Sequence, residues 1–226
     1  AFNESGVDFK NLETGEHFAT VKDKVYSANV YIDSFCIARA LDMGAQIVLA
    51  GRVSDPGLAL GPAIHEFGWT ADQLDLIAAG TLAGHITECG AQCTGGNYTR
   101  WDEVEELANI GYPIIEMKDN GEFVITKHKG TGGLVNRYTV SEQILYEMGD
   151  PTHYISPDVC VDFTSFDLLE LGKNRVQISN VVGFEATSTY KVSISYFAGY
   201  KASGQLTISG PNALKKAELV ADLIWT

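Results

Sequence analysis

Between Gly80 and Asn97 the chain reads GTLAGHITECGAQCTGGN, crowding one His, one Glu, two Cys, one Gln, one Asn and five Gly into eighteen positions. Chemically capable side chains gather in so Gly-rich a run where backbone and ligand must come close. His85 and Glu88 are three apart, so on a helix they are neighbours. Such a pair can pass protons, with Glu88 orienting the imidazole or acting as the base itself. The same spacing also suits a structural His–Glu hydrogen bond, or two metal ligands for which the sequence supplies no evident third and fourth, so no metal is assigned. Gln92, Thr94, Gly95, Gly96 and Asn97 add amide, hydroxyl and open backbone groups that could hold a carbonyl or carboxylate. They also suit a tight turn.

Two further runs carry binding chemistry. In Gly51–Asp55, GRVSD, the guanidinium of Arg52 can grip a carboxylate or phosphate while Asp55 orients it. Asp55 also suits the N-cap of a helix that opens on Pro56, and the two roles are compatible. In Lys127–Arg137, KHKGTGGLVNR, the run Gly130-Thr131-Gly132-Gly133 follows Lys129. Consecutive backbone N–H groups beside cations make an anion cradle, although the spacing is neither a Walker nor a dinucleotide motif and a plain loop is the alternative.

These residues need elements to position them. Val25–Ile32 carries β-formers, and Ser34 can cap a helix through Leu41 that Gly44 ends. Ile47–Ala50 is wholly apolar, as a strand buried on both faces would be. The next helix runs from Pro56 to about Phe67. Strand, helix, strand, helix predicts a parallel βαβ layer. Thr70 and Gln73 mark a helix start, Thr99 and Asp102 another, and Thr139 a third. Asn120-Gly121 predicts a hairpin between YPIIEM and EFVITK. After Pro157 one β-pair is expected around Lys173-Asn174, a second around Gly199, and a final helix from Pro211 to about Trp225. The expected fold class is α/β: a parallel βαβ region over residues 1–153, followed by a smaller α+β lobe of antiparallel hairpins over 154–226.

Composition narrows the function classes. With 29 acidic and 16 basic residues the net charge of −13 opposes nucleic acid as the main partner. A hydrophobic share of 45% and a charged share of 20% belong to a globular protein with a proper core. No apolar run reaches membrane-spanning length, and the first residues lack a basic-then-apolar signal pattern, so a cytoplasmic protein is expected. Cys36, Cys89, Cys93 and Cys160 form no CxxC pair and are expected to be reduced thiols.

Six ordered blocks, including IVLAGRVSDPGLALGPAIHEFGW, AAGTLAGHITECGAQCTGGNY and FVITKHKGTGGLVNRYTVSEQILYEMGDPTHYISPDV, closely resemble the acyclic terpene utilisation family of AtuA-like proteins. The resemblance covers nearly everything from Tyr26 onward. It implies that an α/β segment precedes this region in family members, so the chain is expected to be a fragment. It also implies a role in catabolism of citronellol- and geraniol-type terpenes and branched acyl groups, beside acyl-CoA carboxylases. The reaction and any cofactor are unknown. The leading expectation is a homo-oligomeric enzyme on an acyl-CoA or carboxylate ligand, with His85 and Glu88 moving a proton and Arg52 and Gly130–Gly133 binding anionic groups. The alternatives are a non-catalytic subunit of an acyl-CoA carboxylase complex, or a ligand-binding module.

Overall fold

The computed structural model describes residues 9–225. Its helices and strands, in chain order, are β1 (Val25–Val30), α1 (Phe35–Asp42), α2 (Gly57–Phe67), α3 (Leu74–Glu88), β2 (Pro113–Met117), β3 (Phe123–Lys127), α4 (Arg137–Ile144), β4 (Tyr154–Ile155), β5 (Cys160–Asp162), β6 (Asp167–Gly172), β7 (Arg175–Ser179), β8 (Val182–Phe184), β9 (Val192–Tyr196) and α5 (Ala213–Trp225). Two compact units divide them. The larger holds residues 28–194, and the smaller gathers the described residues on either side of it.

The larger unit is built around α3. From Ile77 to Ile86 every residue of this helix is buried, because Ala, Gly and Thr fill the positions between its Ile and Leu and let neighbours approach from all sides. Leu60 and Ile64 of α2, Ile77, Leu82 and Ile86 of α3, and Phe123, Ile125, Val161, Val176 and Ile178 of the strands form one core. The strands pair antiparallel. A four-stranded sheet runs β2-β3-β7-β6 and a three-stranded sheet runs β4-β5-β8. Asn120-Gly121 makes the expected hairpin, with Ile115 opposite Ile125 and Gly121 at φ +82°. Asn174 turns β6 into β7 at φ +56°.

The expected parallel βαβ layer is not formed. Among the described residues, parallel pairing is reduced to two isolated bridges, Ile32 with Val53 and Ile110 with Gly132. Ile47–Ala50 has the composition of a buried strand but no neighbouring strand, so Ile47 and Leu49 stand 90% and 98% exposed. Composition alone cannot supply the partners a strand needs.

Three local expectations are also corrected. No helix follows Thr99, where only 3₁₀ turns form at Trp101–Glu103 and Leu107–Asn109. The carbonyls of Glu105 and Asn109 accept instead from Gly133 and Gly132. The fourth helix starts before Thr139: Asn136 is the cap, and its side chain accepts from the N–H of Tyr138 and Thr139. The pair around Gly199 is absent because β9 joins β1, and residues 201–208 form no strand. The last helix is α5.

Candidate functional site

Two close helix crossings bring the chemistry of the larger unit together. A Cβ on Gly61 of α2 would lie 2.8 Å from Ile37, and one on Gly57 would lie 3.0 Å from the Ser34 hydroxyl, so these glycines let α1 sit directly against α2. On α3, a Cβ at Gly84 would collide with the backbone of Pro56. That contact seats α3 on the start of α2, and Glu88, one turn further along the same face, comes up beside Arg52 and Asp55.

The result is a cleft of about 760 Å³ lined by Val48–Asp55, Leu58, Ala59, Gly84, Thr87, Glu88, Cys89 and Glu147. Arg52 stands at its rim. One guanidinium nitrogen donates to the Tyr31 hydroxyl at 2.8 Å, another lies 3.0 Å from Asp55, and the group stacks 4.3 Å from the centre of the Tyr31 ring. Asp55 therefore faces Arg52 and does not cap α2. The helix begins at Gly57 after Pro56 with no side-chain cap, which leaves its first turn open toward the cleft.

His85 lies behind Glu88, only 2% exposed, against the rings of Tyr154 and Phe163 at 5.5 Å and 5.3 Å. Its Nε2 is 3.2 Å from the Ile144 carbonyl, and its Nδ1 is 3.1 Å from Glu88 Oε1. A carbonyl only accepts, so that contact places a proton on Nε2 and turns Nδ1 toward the carboxylate. The second contact has ion-pair distance but is out of line for a hydrogen bond. Gln143, wholly buried, donates its amide to the His85 carbonyl at 2.9 Å and fixes the last turn of α3. Cys89 borders the cleft, yet burial pushes its thiol pKa up and the carboxylates of Glu88, Glu147 and Asp55 push it further. A thiol that holds its proton is a poor nucleophile. Burial drives Cys93 to about 12.

The remaining residues singled out in the sequence lie elsewhere. Gln92 closes a 3₁₀ turn, and its carbonyl accepts from Gly95. Gly95, at φ +100°, packs against Val104; Gly96 donates to the Ala91 carbonyl; Asn97 is exposed. In the Lys127–Arg137 loop, Lys129 and Gly130 are exposed, and Thr131 donates its hydroxyl to the His128 carbonyl. Gly132 and Gly133 donate their N–H groups to Asn109 and Glu105. This loop does meet the Gly95 turn, through Leu134 N–H and the Thr94 carbonyl at 2.8 Å, but neither loop lines the cleft.

Four residues of the site were not expected from the sequence. Ser54 and Glu147 line the cleft, Glu147 in the left-handed region at φ +53°, and Asp158 and Ser34 lie next to Ser54. Asp158 accepts from the Ser34 N–H at 2.7 Å and from its hydroxyl at 2.8 Å. Burial still lifts its pKa to about 6, against the pull of those bonds. Ser54 sat within GRVSD and could have been weighed. Asp158 gave no signal, because its partner lies 124 residues away.

Among the described residues no group of three or more His, Cys, Asp or Glu side chains is placed to hold a metal ion, and no helix is long and apolar enough to cross a membrane. No curated protein and no solved structure matches the chain. The profile of the acyclic terpene utilisation family protein AtuA matches residues 2–226, and the chain belongs to that family.

Proposed function

We propose that the cleft binds an acyl-CoA or related branched carboxylate of acyclic terpene catabolism and that Glu88, backed by His85, moves a proton on the carbon next to the acyl carbonyl. The observation that carries this reading is the convergence of Arg52, Asp55 and Glu88 on one cleft, with His85 held 3.1 Å behind Glu88. Glu88 removes the proton, the electron pair of the broken C–H bond moves toward the carbonyl oxygen, and the proton returns on re-ketonisation. His85 can take up or supply the proton at Nδ1 while its Nε2–H stays on the Ile144 carbonyl. Arg52 at the rim attracts the anionic part of the ligand, and Val48, Leu49, Leu58 and Ala59 offer apolar surface to a branched chain.

The test is citronelloyl-CoA, titrated into the protein by calorimetry and then incubated with it in deuterated water. Binding together with deuterium uptake at the α-carbon supports the reading. Silence in both assays overturns it.

A second reading is supported by one observation. Met43, Ile47 and Leu49 form an exposed apolar stretch that a non-catalytic subunit of an acyl-CoA carboxylase assembly would use for contact. It is distinguished by binding to the carboxylase subunits without any deuterium exchange by the isolated chain.

A further inference from the structure

The last helix carries more apolar surface than its own chain covers. None of the thirteen residues of α5, ALKKAELVADLIW, is buried. Leu214, Leu223 and Trp225 stand 74%, 70% and 87% exposed, and Leu219 and Ile224 are more than half exposed. Most helices in folded proteins gain their stability by packing an apolar face, so these five side chains call for a contact that the chain itself does not supply.

Their arrangement around the helix axis decides the kind of contact. Lys215, Glu218 and Asp222, spaced i, i+3 and i+7, share one narrow strip, whereas the five large apolar side chains spread over both flanks and the far side. A groove in a partner protein reads a single stripe of anchors on one side of a helix. A fluid apolar layer accepts side chains from both flanks of a polar strip. Lys216 lies among the apolar residues, where its long stem can carry the ammonium up to a polar boundary. At about 20 Å the helix is short of the ~30 Å of a bilayer core, so it would lie along a membrane surface and not cross it.

A second feature of the smaller unit has the same character. Tyr26, Phe197 and Tyr200 make an exposed ring cluster, with Phe197 6.5 Å from Tyr26 and 5.4 Å from Tyr200. Tyr and Trp rings suit the boundary between headgroups and acyl chains, because each has an apolar body and a polar tip.

The distribution of charge selects the lipid. Residues 28–194 hold 22 acidic and 10 basic side chains, while the rest of the chain holds 7 and 6. From Ser195 to Ala217 there are three lysines, Lys201, Lys215 and Lys216, and no acidic residue. An anionic surface repels the larger unit and attracts this segment.

We propose that the smaller unit docks peripherally on an anionic lipid bilayer. The leucines of α5, Ile224 and Trp225 seat among the upper acyl chains, the Tyr26–Phe197–Tyr200 rings rest at the headgroup boundary, and the lysines of the acid-free segment meet the headgroups.

The experiment pellets the full chain with vesicles of phosphatidylcholine alone and of phosphatidylcholine and phosphatidylglycerol mixed three to one. Wild-type protein is expected to bind the mixed vesicles about tenfold more tightly than the neutral ones, and to lose that preference in high salt. Leu219→Ser combined with Leu223→Ser is expected to weaken binding about tenfold or more with an unchanged melting curve, since both positions are exposed. Lys215→Gln combined with Lys216→Gln is expected to remove most of the preference for the mixed vesicles. Ile47→Ser combined with Leu49→Ser, in the larger unit, is expected to bind as wild type does. Mixed vesicles are expected to blue-shift the fluorescence of wild type and not that of Trp225→Phe. Absence of wild-type binding to mixed vesicles, equal binding to both vesicle types, or undiminished binding by the Leu219→Ser/Leu223→Ser protein overturns the proposal. Sedimentation showing a wild-type dimer that the same double variant dissolves, without vesicle binding, overturns it too and assigns the face to a second copy of the chain.

Discussion

Asp158 and Ser34 are joined by two hydrogen bonds across 124 residues of sequence, one to the backbone N–H at 2.7 Å and one to the hydroxyl at 2.8 Å. The pair ties the start of α1 to the approach of β5. Ser34 stands at the N-cap of α1 without capping it, because its hydroxyl is engaged by the carboxylate, which itself supplies negative charge at the positive end of that helix.

This carboxylate makes the larger unit sensitive to pH. Its pKa is raised from 3.8 to about 6, chiefly by burial. A raised acid binds its proton more tightly folded than unfolded, so its contribution to stability is greatest when protonated, below about pH 4. That contribution declines as pH rises toward about 6, by ~3 kcal/mol. Asp158→Asn removes the titration, keeps an acceptor for the Ser34 N–H, and lets the hydroxyl rotate to accept from the amide. Denaturant unfolding between pH 4 and pH 7 is expected to show the variant gaining on wild type as pH rises, by ~2 kcal/mol at pH 7. Parallel curves for the two proteins would refute the assignment. The other groups facing Asp158 are the Asp33 carboxylate, which raises its pKa, and the Ser34 and Ser54 hydroxyls, which lower it.

Gly84 is the contact on which the cleft depends. A methyl group there meets the Pro56 backbone, which cannot yield as a flexible side chain would. Gly84→Ala is expected to destabilise by ~2–3 kcal/mol and to weaken citronelloyl-CoA binding, because the start of α2 must move away from α3. Gly149→Ala is the control, since a Cβ there meets nothing within 4 Å, and its midpoint is expected to stay within ~0.5 kcal/mol of wild type. Equal effects of the two substitutions in denaturant titrations would contradict the packing argument.

Local chemistry in this chain was legible where the residues themselves decide the structure. The turn at Asn120-Gly121, the end of α2 at Phe67 and the His85–Glu88 pairing follow from spacing and backbone preference. Strand partnership did not follow, because Ile47–Ala50 has strand composition and nothing alongside it, while β9 pairs with β1 from the far end of the chain. The role of Asp55 was half legible: its ion pair with Arg52 forms and its helix cap does not, since one carboxylate cannot face both. Asp158 was invisible because a buried carboxylate is recognised by what surrounds it, and its partners arrive from distant segments.

Glu88 is the group placed to move the proton. Glu88→Gln keeps the size and polarity of the side chain but removes the basic oxygen, so citronelloyl-CoA binding is expected to stay within about threefold of wild type. Deuterium uptake at the α-carbon is expected to fall by ~10²-fold or more. His85→Gln, acting behind it, is expected to lower the rate of exchange while binding stays within about threefold of wild type. Retained exchange in Glu88→Gln, measured by mass spectrometry of the recovered thioester, would assign the base elsewhere.

Ile47 and Leu49 give the opposite kind of prediction. Each is large and apolar, and each stands almost fully exposed, so neither removes surface from water within this chain. Ile47→Ser and Leu49→Ser are therefore expected to change unfolding free energy by less than ~0.5 kcal/mol, whereas Ile77→Ser, fully buried in α3, is expected to unfold the larger unit. A loss of ~2 kcal/mol or more at position 47 or 49 in dilute solution would mean that this run is covered in the folded chain. A loss that grows with protein concentration would instead mean that copies of the chain cover it for one another, since association makes stability depend on concentration.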